Sequence, residues 1–190
     1  MLNKPYTAKL RKHMLGFATK RRDVIKMSGD ALHHAKRAIF AMHKDDLKEA
    51  EAKLKQSEAL FSGLHKKFSK DSEITNEGSY KAGLEEYVEA SLFYQFLTTG
   101  RMGELRGLDI VPHVYIAGIC DVPGELLRYA TKAATNKDEK TVKKCAEMAK
   151  EIVGELIEFN LTSYLRTKFD QAKRAVQKIE YIQYELSLRK

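Results

Sequence analysis

Four carboxylates fall in two pairs at helical spacing: Glu86 with Glu89 in GLEEYVEASLFYQF (83–96), and Asp121 with Glu125 in CDVPGELLRY (120–129). Residues three or four apart share a helix face, so each pair presents two acids side by side. Tyr87, Val88, Leu92 and Phe93 surround the first pair with apolar surface. Acids close to an apolar register are costly unless they are paired or bind a cation. Placed opposite each other, the two pairs make a four-carboxylate cluster. Hard oxygen donors without His or Cys favour Mg²⁺, with Mn²⁺ as the alternative. No histidine follows either pair at the Glu-x-x-His spacing, which argues against a di-iron centre. Mg²⁺ held by carboxylates activates water and stabilises in-line attack on phosphate. Arg128, three residues beyond Glu125, either holds that glutamate or faces a phosphate. No other side chain is an obvious general base, so a carboxylate or the metal must activate the water. An isolated acid pair on a helix is commonly just solvated, and what raises these two is their surroundings.

The charge of the chain is one such surrounding. The net charge is +8 over 190 residues. Residues 1–44 carry eleven Lys/Arg against two Asp/Glu, whereas the remainder carries 23 against 24. Four of the six histidines also precede residue 45. An excess confined to one segment suggests an anionic partner such as nucleic acid, set against the plainer reading of a solvated helix face. Arg11, Arg22, Lys26, His33, Arg37 and Lys44 keep to one slowly drifting helix face, which suits phosphates repeating along a line. Arg21 falls in the apolar register instead. There it lines a partly buried polar site or an interface, or else snorkels.

The elements that must position these residues all read as helices. Leu10, Met14, Phe17, Ile25, Leu32, Ala35, Ile39 and Met42 recur at three- and four-residue steps, predicting a first helix over 7–43. It would span about 55 Å, suited to an extended bundle or a large assembly. Further helices are expected over 45–69, 76–99, from Pro112 to about 135, 139–164 and 167–188, with breaks at 71–80 and 100–112. Asp45 and Asp46 suit the positive end of the second helix. Pro123 removes a backbone donor at a cost of about 3 kcal/mol, and Gly124 adds about 1 kcal/mol. The expectation is a kinked helix that bends around something and presents half the acidic site. No strand-like alternation competes, so the chain reads as one all-α domain over residues 1–190, an elongated antiparallel bundle of six to seven helices. Cys120 and Cys145 form no CxxC and read as buried, reduced thiols of a cytoplasmic protein. No run approaches a membrane span, and MLNKPYTAKLRK lacks an apolar signal core. The apolar first and last helices (Tyr181, Tyr184, Leu186, Leu188) carry more apolar surface than a lone bundle needs, which predicts self-association.

Four segments, in order, carry a family resemblance. KRRDVIKMSGDALHHAKRAIFAMHK (20–44), GLEEYVEASLFYQFLTTGRM (83–102), VPHVYIAGICDVPGELLRYA (111–130) and LRTKFDQAKRAVQKIEYIQYELSLRK (165–190) resemble the translin and TRAX family. The resemblance implies an all-α bundle of about seven helices that assembles into a hollow homo-octamer. On the TRAX side of the family it implies a Mg²⁺-dependent endoribonuclease, whose acids match Glu86, Glu89, Asp121 and Glu125. Translin-type members bind single-stranded RNA and DNA without that acidic set, which gives the alternative of a non-catalytic binding protein. With RNA as the ligand, the basic face of the first helix, with Arg21, Arg22, Lys26 and Arg37, is expected to grip its backbone, and Arg128 to stabilise charge on phosphate or hold Glu125. Two features depart from the family pattern: proline stands in place of the usual threonine before Gly124, and the 100–112 connection is short. The second fits a self-sufficient homo-oligomer.

Overall fold

The computed structural model describes residues 1–68 and 76–188. Among them are six helices and no strand: α1 Lys4–His43, α2 Leu47–Phe68, α3 Gly78–Thr99, α4 Pro112–Thr135, α5 Glu139–Ile157 and α6 Ser163–Ser187. Helices α3 and α4 pack against each other at the centre, α1 and α2 cover α3, and α5 and α6 cover α4. The whole is an all-α bundle with a single core, which includes Met42, Phe61, Leu64, Leu92, Phe93, Leu126 and Ile179.

Local signals explain most helix ends. The Asn3 side chain accepts the Tyr6 N–H at 3.1 Å, and Pro5 lies in the first turn. A side-chain cap and a proline whose missing N–H is not needed there start α1 three residues before the apolar periodicity does. Asp46 accepts the Glu49 N–H at 3.0 Å at the start of α2. Gly100, at φ 72°, ends α3 and donates its N–H to Phe96 O at 2.8 Å. The expected break at 71–80 falls partly outside the described residues, as does residue 69.

Three expectations are corrected. The helix expected over 139–164 stops at Ile157, and the last helix starts at Ser163 rather than 167. Asn160 and Ser163 take positive φ of 46° and 48°. A short polar side chain tolerates that conformation, so the chain turns without Gly or Pro. Helix α4 includes the buried Pro123 within its span. Finally, the apolar strip of the first helix is buried only along its second half. The buried residues of α1 begin at Val24, whereas Tyr6, Leu10, Met14 and Leu15 are exposed.

One glycine sets the spacing of the central pair. A Cβ at Gly118 would lie 2.6 Å from Val88 Cβ and 2.8 Å from the Glu85 carbonyl oxygen. Only glycine lets α3 and α4 approach this closely. The approach lies one turn from Asp121 on α4 and between Glu86 and Glu89 on α3, so it brings the two acid pairs together.

Candidate functional site

Glu86 and Glu89 on α3 and Asp121 and Glu125 on α4 lie near enough for their charges to act on one another. Glu89 is buried and feels the fields of Asp121, Glu86 and Glu125. Burial, reinforced by those three acids, pushes it well above the ordinary glutamate value. Glu86, half-buried, is raised chiefly by burial and further by Asp121 and Glu125, against the pull of Lys36. Burial also raises Asp121, against the pull of its contact with Lys168. All three shifts arise because a low-dielectric site disfavours several like charges at once.

Cations are threaded among the acids. The Lys168 ammonium on α6 donates to Asp121 Oδ2 and lies 3.4 Å from Glu85 Oε2. Burial pulls Lys168 down, but its bond to Asp121 outweighs that and leaves it raised, so it is held protonated. The buried His43 ring pairs with Glu125 through Nε2. Lys36 lies 3.8 Å from Glu86, and Arg128 lies 3.8 Å from Glu125. Tyr164 donates to Glu85 at 2.7 Å. Glu89 alone of the four acids makes neither a hydrogen bond nor an ion pair among the described residues. Among those residues, no group of three His, Cys, Asp or Glu side chains is arranged to hold a metal ion. By its chemistry the donor set of four carboxylates suits a hard divalent cation.

The basic residues divide. Arg128 belongs to the acidic site. Arg21 instead grips Glu77, just before α3, with its Nε at 2.7 Å and a second nitrogen at 3.3 Å. The guanidinium is half exposed, so Arg21 ties α1 to α3 rather than lining a buried site. Arg37 turns toward Glu49 of α2, at 3.7 Å. Arg22 and Lys26 are exposed, with Arg22 Nε only reaching Ala18 O at 3.4 Å.

Sequence reasoning missed Lys36, His43, Glu85, Tyr164 and Lys168. Lys36 and His43 are seven apart on α1, and Tyr164 and Lys168 are four apart on α6. Those spacings mark shared faces, but which helix each face meets is a matter of tertiary packing. The two cysteines are free and buried, and burial pushes each thiol up to about 12, which leaves Cys120 unreactive beside Asp121. No helix among the described residues is long and apolar enough to cross a membrane.

Known proteins resemble this chain in sequence and in fold. The Translin-associated protein X homolog of Schizosaccharomyces pombe is 25% identical over 90% of this chain and 82% of its own length. Translin-associated protein X of Rattus norvegicus is 22% identical over 87% of this chain and 72% of its own. Among solved structures, AfC3PO superposes with a TM-score of 0.90 at 24% identity, covering 97% of this chain and 98% of that one. Apo-NeC3PO superposes at 0.86 and 22% identity, covering 98% of both. AfC3PO solved with duplex RNA gives 0.86 at 21% identity, covering 97% of this chain and 98% of that one. The profile of the Translin family matches residues 19–190. The chain belongs to the Translin family.

Proposed function

We propose that this protein is a Mg²⁺-dependent endoribonuclease that cuts short single-stranded or partly paired RNA within a homo-oligomeric shell. The observation that supports the reading is the electrostatic coupling of Glu86 and Glu89 on α3 with Asp121 and Glu125 on α4, with Glu89 making no hydrogen bond or ion pair among the described residues. These four residues would hold Mg²⁺, or Mn²⁺. Such an ion supplies charge stabilisation at phosphate and lowers the pKa of water. Arg128, exposed beside Glu125, would either hold that glutamate or meet a phosphate oxygen. Arg22 and Lys26 would hold the RNA backbone along α1, contacts that position without specifying sequence. The RNA duplex in the AfC3PO complex supports RNA as the ligand. Self-association into an octamer follows the same resemblance. The free, buried thiols suit the cytoplasm.

A second reading, a non-catalytic binder of single-stranded RNA or DNA, is favoured by one observation. Lys168 and His43 already engage Asp121 and Glu125. A short labelled single-stranded RNA, incubated with wild type or Asp121→Asn in Mg²⁺ or EDTA, separates the two. Product is expected only from wild type in Mg²⁺. Cleavage in EDTA, or by the variant, contradicts metal-dependent cleavage at these acids. RNA retained uncut by wild type in Mg²⁺ selects the second.

A further inference from the structure

One cation–acid contact at the site belongs to a residue that the proposed chemistry does not use. Lys168 is half-buried, with its side chain 13% exposed, and it bridges two helices. It donates to Asp121 on α4 and lies 3.4 Å from Glu85 on α3. Tyr164, one turn earlier on α6, donates to that same Glu85 oxygen, and its ring lies 5.2 Å from the ammonium. An ammonium has only donors, so its position is fixed by the acceptors that it finds.

We propose that Lys168 is a tethered counter-ion that competes with a divalent cation for Asp121 and so sets how tightly the acidic site holds metal. The proposal rests on the metal-site reading above and adds a residue to it. Both cations need the oxygens of one carboxylate, and their mutual repulsion acts in a poorly solvated site. Lys168 can yield Asp121 without becoming an uncompensated buried charge, because Glu85 remains as its second partner. An ammonium with a single carboxylate could not yield so readily, since a buried charge left alone is strongly unfavourable. Glu85 lies outside the four acids expected to hold metal, and this arrangement gives it a role.

The test measures Mn²⁺ binding without RNA, by the electron paramagnetic resonance signal of the free ion. Wild type is compared with Lys168→Met, Lys168→Gln and Lys173→Met. Lys173 is on the same helix but pairs with Asp170 at 2.7 Å, so its removal reports net charge alone. Lys168→Met is expected to bind Mn²⁺ about tenfold tighter, the scale on which one contacting charge alters a carboxylate's affinity for a proton. Lys168→Gln keeps a hydrogen bond to Asp121 without the charge and is expected to show the same gain, so the test stands should the Met variant not fold. Without divalent ion both should melt below wild type, and Mn²⁺ should restore them. Lys173→Met should bind as wild type does. Wild type that binds Mn²⁺ with no gain in either Lys168 variant overturns this proposal alone. Absence of Mn²⁺ binding by wild type and both variants overturns it together with the metal-site reading.

Discussion

A cation with no partner in its own protein is the one most free to bind phosphate. Of the basic residues expected to grip RNA, Arg21 and Arg37 are drawn to Glu77 and Glu49. Lys26 is exposed and makes no ion pair among the described residues. Lys26→Ala is therefore expected to weaken RNA binding at low salt and to reduce the slope of log affinity against log salt by about 1. Filter binding over a salt series checks this, and an unchanged slope would remove Lys26 from the interface. The four acids were legible in the sequence because helical period and apolar neighbours both bear on the residues themselves. Lys168 and His43 were not, because each acquires its meaning only where α6 meets α4 or where the end of α1 meets Glu125.

At the scale of helices, the site depends on how closely α3 and α4 approach. Gly118→Ala would force its new methyl against Val88 and the Glu85 carbonyl, since both lie under 3 Å from that position. Overpacking of this kind costs about 1–3 kcal/mol, and here it would also part the two acid pairs. The variant is expected to show a lower denaturation midpoint and to lose RNA cleavage with no change of charge. Val88→Ala in the same chain should restore part of both. Wild-type stability and cleavage in Gly118→Ala would contradict the packing argument. Most helices were legible from the three- and four-residue apolar steps, and Pro112 correctly opened α4. The turn after Ile157 was not legible, because Asn160 and Ser163 adopt left-handed backbone without the Gly or Pro that usually signals it. Pro123 falls inside α4, which continues on both sides of it.

Two properties belong to the whole molecule. The first half of α1 exposes Tyr6, Leu10, Met14 and Leu15, and the end of α6 exposes Tyr181, Tyr184 and Leu188. Apolar surface at both places predicts self-association, so light scattering should give a mass well above one chain; a monomer mass would contradict the shell. The fold itself is in conflict with its acidic site. Burial, with Asp121, Glu86 and Glu125, lifts Glu89 well above its ordinary value of 4.5. A carboxyl raised in the folded state contributes stability that is fully present below the unfolded value and is lost as pH rises through the folded one. In EDTA, Glu89→Gln should therefore melt higher than wild type, by a margin that grows as pH rises above about 4.5. A site kept at the expense of stability is what function requires. The most direct test of the central claim is cleavage of labelled single-stranded RNA by Glu89→Gln in Mg²⁺. The account predicts no product from a folded protein that melts above wild type. Product at the wild-type rate would contradict it.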